Sequence, residues 1–179
     1  MRAKRQTTTA SAYRSGASRR VREVMTPDPQ ACRPDDTAEH AARLMKVADA
    51  GIMPVVDDMH DRRLVGVVTD RDLCLAVVAQ GRDPQTPVGD CMSSAPITCD
   101  PEDSLDRALL LMEECRIRRV VVVDEAQRVH GILSLADLVR RAHLPGRRTR
   151  EILERICEPT KRASVSRAIV HGGPGTIII

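Results

Sequence analysis

The sequence predicts an α/β (α+β-like) fold made of two copies of one β-α-β-β-α unit. Three observations support this prediction: an internal repeat, apolar residues at helical spacing, and short β-branched runs between the helical segments. Strands that alternate with helices are typical of the α/β class. A unit of about sixty residues buries too little surface alone, so we expect the two copies to pack together.

The internal repeat becomes visible when Val21 is aligned with Val88. Matching residues then follow in one register, from the first helical segment to a shared Val-Val-Asp tripeptide. The second copy lacks two residues in the next turn, after which GVVTDRDL, which begins at Gly66, aligns with GILSLADL, which begins at Gly131. So many matches in one register indicate a duplicated unit rather than chance.

Each copy contains the same predicted elements in the same order. The segments DDTAEHAARLMKVADAG and SLDRALLLMEEC combine a polar cap with apolar residues at helical spacing, which predicts the first helix. The runs IMPVV and LVGVV, and in the second copy VVVV and VHGIL, predict two strands joined by a polar turn. RDLCLAVVAQG and LADLVRRAH predict the second helix, and QACRP or ITCDP forms a short extended piece before the first.

Composition limits the classes of function. The chain has one Tyr and no Phe or Trp, so it lacks the aromatic platforms that stack the bases of single-stranded nucleic acid. We find no apolar run long enough to span a membrane and no secretory signal, and we therefore expect a cytoplasmic protein. The Arg- and Ser-rich start would also suit a mitochondrial transit peptide, and equally a plain disordered tail.

Positive charge is concentrated at the two ends of the chain. Residues 1–20 carry six basic residues and no acidic one, and we expect a disordered basic tail there. Residues 145–179 form a second basic tail, in which Ile152, Leu153 and Ile156 predict a short docking helix. The acidic middle argues against a uniformly basic nucleic-acid-binding protein, and contact between the tails and this middle is the simpler interpretation.

We find no catalytic constellation in the sequence. The five histidines are scattered, and no nucleophile lies beside a base in a recognisable motif, so we predict that the protein is not an enzyme. The six cysteines have no CxxC spacing and are interpreted mainly as reduced core residues, with no metal site. A redox switch through Cys32, Cys99 or Cys157 is the alternative.

The motif Thr/Ser-x-x-Asp recurs where a strand meets a helix and has two compatible interpretations. Thr69 with Asp72, and Ser134 with Asp137, fit a capping box with Asp in place of Glu, which contributes about 0.5–2 kcal/mol without any ligand. The same groups fit a nucleotide, because a helix start attracts phosphate. An ionised carboxylate one turn later accepts two hydrogen bonds from the 2′,3′-diol of a ribose.

These motifs together resemble a tandem pair of CBS domains, known as a Bateman module. The resemblance rests on VMTPDPQACRPDDTAEHAARLMKVADAGIMPVVDD and GVVTDRDL in the first copy, and on CMSSAPITCDPEDSLDRALLLMEECRIRRVVVVDE and GILSLADL in the second. It divides the chain into unit 1, residues 21–84, and unit 2, residues 85–144. It implies a pseudo-twofold axis and two clefts between the units, which bind AMP, ADP, ATP, NAD or S-adenosylmethionine. It also implies a homodimer.

The resemblance implies roles for the motif residues. Asp72 and Asp137 would hold the ribose, and Thr69 and Ser134 would reach ribose or phosphate. It also places two extended pieces, residues 26–29 and 93–96, where the family closes its clefts with backbone contacts.

Further candidates are assigned by residue type. The apolar candidates for an adenine sandwich are Ile52, Met53 and Pro54, with Arg119, Val120 and Val121 as their counterparts in a second copy that lacks the family's proline. The phosphate candidates are Arg71, Arg116, Arg118 and Arg119. The alternatives are a solvated basic strand edge and, for Arg71, an ion pair with Asp70 or Asp72.

The leading hypothesis is a non-enzymatic sensor that requires no cofactor, binds an adenine nucleotide as a regulatory ligand and changes its engagement with an unidentified protein partner. The first alternative is a ligand-free module for dimerisation or protein interaction. The second is a regulator that binds nucleic acid or a membrane surface through the basic tails.

Overall fold

A computed structural model describes residues 19–142 and 146–157 of the chain, and within the last segment the side chains of 146, 148, 149 and 157 are not described. The predictions for residues 1–18 and 158–179, including the terminal GGPGTIII, lie outside the described residues.

The helices and strands follow the predicted order in both units. After β1 (Thr26–Pro27), unit 1 contains α1 (Ala38–Ala48), β2 (Ile52–Val56), β3 (Leu64–Thr69) and α2 (Asp70–Leu73), which continues as a π-helical turn over Cys74–Val78. Unit 2 contains β4 (Thr98–Cys99), α3 (Leu105–Cys115), β5 (Arg119–Val123), β6 (Val129–Ser134) and α4 (Leu135–Arg141), and α5 (Gly146–Cys157) follows it. This mixed arrangement of helices and sheets confirms the predicted fold class.

The first helix of each unit begins and ends for the same chemical reasons. The hydroxyl of Thr37 accepts a hydrogen bond from the backbone N–H of His40, and the hydroxyl of Ser104 accepts one from Arg107. Each helix ends at a residue in the left-handed conformation, which for α3 is Arg116 at φ 52°. The duplicated sequence therefore sets equivalent helix boundaries in both units.

Two sheets form the centre of the molecule. Unit 2 has a four-stranded sheet in the order β1-β6-β5-β4, in which β5 and β6 are antiparallel with Val121 opposite Ile132. Unit 1 has the antiparallel pair β2-β3, flanked on both sides by single bridges at Cys32 and Ser93. The two units therefore share one strand order, with outer strands that are shorter in unit 1.

The segment that precedes α1 packs on unit 2 rather than on unit 1. β1 pairs with β6, which places Thr26 opposite Ile132. Val21 and Val24 have no exposed surface, and both lie in the apolar core of unit 2.

The segment that precedes β4 packs on unit 1 in the equivalent way. Val88 is fully buried in the apolar core of unit 1. Ser93 and Val67 exchange two backbone hydrogen bonds, of 2.8 and 3.0 Å. The linear division at residues 84 and 85 therefore differs from the spatial units, which exchange their leading segments.

The exchange extends to the last two residues of the expected N-terminal tail. The backbone N–H of Leu105 donates to the carbonyl of Arg19 at 2.7 Å, and the guanidinium of Arg20 donates to the carbonyl of Glu102 at 2.7 Å. The expectation of a disordered tail is therefore wrong for Arg19 and Arg20, because they satisfy backbone groups at the start of α3.

The apolar residues form one core for each unit and a third cluster between the two sheets. Alternation along β2 explains this division: Met53 and Val55 lie in the core of unit 1, whereas Ile52 and Val56 lie between the sheets. The cluster between the sheets consists of Ala31, Ile52, Val56, Val67, Val121, Val123, Val129 and Ile132. The two units therefore join through an aliphatic layer that excludes water.

The segment expected to form a docking helix is α5, and it packs on unit 2. Its side chains Ile152 and Ile156 are 5% and 3% exposed and belong to the core of that unit. The guanidinium of Arg155 also pairs with Glu113 on α3. Among the described helices, none combines the length and the apolar character needed to cross a lipid bilayer.

The glycine of each repeated motif lies beneath an exchanged segment. A Cβ on Gly131 would lie 2.9 Å from the carbonyl oxygen of Thr26, and one on Gly66 would lie 2.8 Å from that of Ser93. Real Cβ atoms essentially never approach so closely. Glycine is therefore required at both positions because the backbone of the other segment lies directly above it.

We predict that Gly131→Ala lowers the free energy of unfolding by about 1–3 kcal/mol, since the added methyl forces β1 away from β6. Urea unfolding followed by circular dichroism measures this change. Gly51→Ala is the matched control, because the atoms nearest to its Cβ are the ends of two flexible side chains. Equal stability of Gly131→Ala and the wild type would contradict the close packing of the exchanged segment.

Candidate functional site

The recurring Thr/Ser-x-x-Asp motif forms a capping box in both units. In unit 1 the backbone N–H of Asp72 donates to Thr69 Oγ1 at 3.1 Å, and the backbone N–H of Thr69 donates to Asp72 Oδ2 at 2.9 Å. In unit 2 the corresponding distances between Ser134 and Asp137 are 3.2 and 2.9 Å. The hydroxyl of each cap residue also donates to the same carboxylate oxygen. The capping interpretation of the motif is therefore confirmed, and it occupies one carboxylate oxygen, Oδ2, in each unit.

The second carboxylate oxygen distinguishes the two units. Asp72 is 1% exposed, and its Oδ1 is buried with no hydrogen-bond partner among the described residues. Leaving a buried polar atom unpaired costs about 1–3 kcal/mol. Asp72 therefore retains an unused, strong hydrogen-bond acceptor after capping its helix.

The equivalent oxygen of unit 2 is already paired. Thr26 Oγ1 donates to Asp137 Oδ1 at 2.9 Å, and the guanidinium of Arg141 lies 3.5 Å from the same oxygen. Arg141 Nη1 also donates to the carbonyl of Met25 at 2.8 Å. The carboxylate of Asp137 is thus tied to the segment that crosses from the N-terminal side of unit 1.

Arg119 reaches from unit 2 toward the motif of unit 1. The position of a Cβ on Gly51 is 3.2 Å from Arg119 Nη2 and 3.1 Å from Asp70 Oδ2, so these groups meet around one point. Asp70 begins α2 and lies two residues before Asp72. A guanidinium of unit 2 and the carboxylate of Asp70 in unit 1 therefore lie close together beside Gly51.

The apolar candidates divide between the two faces of their strands. Ile52 is 8% exposed and faces the layer between the sheets. Pro54, two residues later on the same strand, is also buried. Met53 and Val120 point into the cores of their own units and are 0% and 1% exposed. The alternation of a strand thus leaves Ile52 and Pro54 on the side of the other unit's sheet and turns Met53 and Val120 into the cores of their own units.

The remaining arginine candidates lie on the surface. Arg71 and Arg118 are exposed, and in the part of the chain that the structure describes Arg71 forms no ion pair with Asp70 or Asp72. The carbonyl of Arg118 accepts a hydrogen bond from the backbone N–H of Leu135 at 3.1 Å, which places it beside the start of α4. In the sequence repeat, Arg118 aligns with Gly51 of unit 1.

Sequence reasoning missed three residues at these sites: Gly51, Asp70 and Arg141. Gly51 and Asp70 are identified only by the contact with Arg119, which joins residues far apart in the chain. Arg141 carried a usable signal, because it follows Asp137 at a spacing of four on a helix. The repeat places Ala76 at the same position in unit 1, so the sequence itself shows that unit 1 lacks the cation that Arg141 provides in unit 2.

The described cysteines are free thiols with different environments. Burial raises the pKa of the Cys32 thiol from its ordinary value of 9.0 to about 12, and nearby Asp36 adds to the shift. Burial likewise raises the pKa of Cys99 to about 12, whereas Cys74 is exposed on the second helix of unit 1. No group of three or more His, Cys, Asp or Glu residues able to hold a metal occurs among the residues that the structure describes.

The fold and the paired capping boxes define a duplicated α/β protein made of two similar units. A family model for the CBS domain matches residues 21–79 and again 88–144, and the chain belongs to this family. The resemblance drawn from the sequence motifs is therefore confirmed.

Individual relatives agree with the family match. The chain is similar to the CBS domain-containing protein YhcV of Bacillus subtilis, with 42% identity over 118 residues, which are 66% of this chain and 81% of the relative. Among solved structures it is similar to CBSX2 in complex with AMP, with a TM-score of 0.60 and 30% identity over 69% of this chain and 95% of that chain. It is also similar to the CBS domain pair of protein MJ0100 in complex with 5′-methylthioadenosine and S-adenosylmethionine, with a TM-score of 0.62 and 26% identity over 69% and 95% of the two chains.

We predict that Cys74 reacts with iodoacetamide at pH 8 in the native protein, while Cys32 and Cys99 react only after unfolding. At pH 8 a thiol with a pKa near 12 is about one part in ten thousand thiolate, and burial also blocks the reagent. Peptide mapping by mass spectrometry measures the labelling of each residue. Native labelling of Cys32 or Cys99 at the rate of Cys74 would instead favour the redox-switch alternative.

Proposed function

We propose that the protein is a non-enzymatic regulatory module that binds an adenosine-containing ligand in the clefts between its CBS units. The observation that carries the proposal is the Oδ1 atom of Asp72, a buried carboxylate oxygen with no hydrogen-bond partner among the described residues. A ribose diol supplies the hydroxyl donors that such an oxygen accepts. Membership of the CBS family and the adenosyl ligands of the two similar structures support this choice of ligand class.

The residues around Asp72 suit the other parts of such a ligand. Arg119 provides a fixed positive charge and several N–H donors for a phosphate, and the exposed Arg71 provides a second. Ile52 and Pro54 provide apolar surface at the layer between the sheets, which suits the face of an adenine. Met53 and Val120 have no part in this proposal because they point into the cores.

Binding at Asp72 would be coupled to a change of shape. The Oδ1 atom has almost no contact with solvent, so a ligand reaches it only when the surrounding segments separate. A ligand that binds the opened state better than the closed one shifts the population toward it. A sensor requires this coupling between ligand binding and a change of shape.

We further propose that the helices of unit 1 contact a second copy of the chain. Val47 on α1 is 85% exposed, and Leu75 and Val78 after α2 are 37% and 75% exposed. In unit 2, α5 packs against α3 and α4. A homodimer would cover the exposed apolar side chains of unit 1. The cytoplasmic location, and the expectation that nucleic acid is not the partner, stay predictions from the sequence.

We predict that AMP, ATP or S-adenosylmethionine raises the unfolding temperature of the wild type and not that of Asp72→Asn. A ligand at about 100 times its dissociation constant adds about 2.7 kcal/mol, which corresponds to a shift of several degrees. A dye-based thermal shift assay measures it, because the chain has a single Tyr and no Trp. The control is Asp35→Asn, an exposed carboxylate paired with Arg33. If no adenosyl ligand at millimolar concentration shifts the wild type, the ligand-free interaction module is the better description.

We also predict that Arg119→Ala weakens the binding of AMP by about tenfold or more but leaves the binding of adenosine nearly unchanged. A charge-assisted hydrogen bond to phosphate contributes about 1.5–3 kcal/mol to the binding of AMP. Adenosine has no phosphate, so it makes no such bond and loses nothing when Arg119 is replaced. Isothermal titration calorimetry with both ligands measures the difference. Arg43→Ala on α1 is the matched control, because its side chain is 75% exposed and pairs only locally with Glu39. An equal loss for both ligands would assign Arg119 a structural role.

A further inference from the structure

We infer that the two clefts are not equivalent: Thr26 and Arg141 hold the carboxylate of Asp137 closed, so the adenosyl ligand binds first at Asp72. This inference rests on the proposed function and deepens it by assigning the order of occupation. We call the group formed by Thr26, Arg141 and Asp137 the latch. The evidence is that the capping boxes of the two units match except at Oδ1 of the Asp. This atom is hydrogen-bonded in Asp137 and has no partner among the described residues in Asp72.

The capping boxes themselves do not distinguish the clefts. In both units Oδ2 of the Asp accepts the backbone N–H and the hydroxyl of the cap residue, at similar distances. The other carboxylate oxygen, Oδ1, takes no part in the capping box, so it is the atom that could accept a hydrogen bond from a ligand. Any difference in affinity for the ribose must therefore arise from what surrounds Oδ1.

In unit 2 that oxygen already has a hydroxyl donor and a cation. Thr26 Oγ1 lies 2.9 Å from Asp137 Oδ1, and Arg141 Nη1 lies 3.5 Å from it. Arg141 Nη1 also lies 3.4 Å from Thr26 Oγ1, so the three side chains form a closed group. A ribose hydroxyl would have to displace partners that offer the same kind of hydrogen bond. Most of the binding free energy of the new bond would then be offset by the loss of the old one.

In unit 1 neither partner has an equivalent that satisfies the carboxylate. The residue four positions after Asp72 is Ala76, which has no cation to offer. Ser93 occupies the place of Thr26 in the repeat, yet Asp72 Oδ1 has no hydrogen-bond partner among the described residues. In unit 1 a ribose hydroxyl would thus donate to an oxygen that has no partner among the described residues. In unit 2 it would have to displace the hydrogen bond from Thr26 and the nearby guanidinium of Arg141.

The latch also connects the second cleft to the exchanged segment. Arg141 donates to the carbonyl of Met25 at 2.8 Å, directly before β1. Opening the latch therefore releases side-chain contacts between α4 and the segment that β6 holds as its neighbouring strand. Binding at unit 2 has to break side-chain hydrogen bonds to this segment, whereas Asp72 Oδ1 has no such bond to break among the described residues.

The test is the number of ligands bound per chain, measured by isothermal titration calorimetry with AMP and with S-adenosylmethionine as probes. We expect one site in the wild type, with a second site at least about tenfold weaker, as the displacement of a charge-assisted bond requires. Asp72→Asn should lose the tight site, and Asp137→Asn should keep it within about twofold. Thr26→Val/Arg141→Ala should gain a second tight site, because its Asp137 Oδ1 is as unpaired as that of Asp72.

The matched control is Thr26→Ser/Arg141→Lys, which keeps a hydroxyl and a cation and should remain at one tight site. Circular dichroism and the unfolding temperature show that each variant is folded. Two sites of equal affinity in the wild type, or loss of the tight site in Asp137→Asn rather than in Asp72→Asn, would overturn the latch while the proposed function stands. Absence of binding by the wild type and by every variant overturns the proposed function and the latch with it.

Discussion

The contact between each motif glycine and the backbone of an exchanged segment is the constraint on which the rest of the structure depends. Gly131 allows the carbonyl of Thr26 to approach its Cα closely, and Gly66 does the same for Ser93. This approach lets each segment complete the sheet of the other unit and deliver an apolar residue, Val21 or Val88, to its core. Neither core is therefore complete without a part of the chain that is remote in sequence.

The same crossing explains why the candidate sites lie where they do. Each crossing segment pairs with the strand of the other unit that ends in the Thr/Ser-x-x-Asp motif. Thr26 uses this position to hydrogen-bond Asp137. Arg119 likewise approaches Asp70, at the start of α2, from the other unit. The candidate sites thus depend on the way in which two similar units are joined, rather than on either unit alone.

Local sequence signals predicted the elements well because their causes are local. Hydroxyl caps at Thr37 and Ser104, helical spacing and β-branched runs each act within a few residues, and both capping boxes followed from the motif. The exchange of segments was not predictable in this way. Val21 and Val88 occupy the same place in the repeat, so each segment suits either unit, and only packing in three dimensions decides between them.

The side chains at the clefts show the same division between local and distant causes. Asp72 and Asp137 were identified as a pair that the pattern made equivalent. They differ in Oδ1, which accepts a hydrogen bond from Thr26 in Asp137 and has no partner among the described residues in Asp72. Alternation along a strand was sufficient to separate Ile52 from Met53, although the apolar run itself had suggested that both face the ligand. The approach of Arg119 to Gly51 depends on contact between units and has no local signature.

The peptide that joins the two units has a structural role of its own. The carbonyls of Thr86 and Pro84 accept hydrogen bonds from the backbone N–H groups of Ala38 and Glu39, at 2.8 and 3.0 Å, and so cover the first turn of α1. These hydrogen bonds consequently fix the connection to α1, so it is an ordered segment of the structure and not a flexible linker. A protease that cut it would leave two fragments interlocked, because each carries a portion of the other's interior. The core of each repeat is therefore not encoded within one continuous stretch of the sequence.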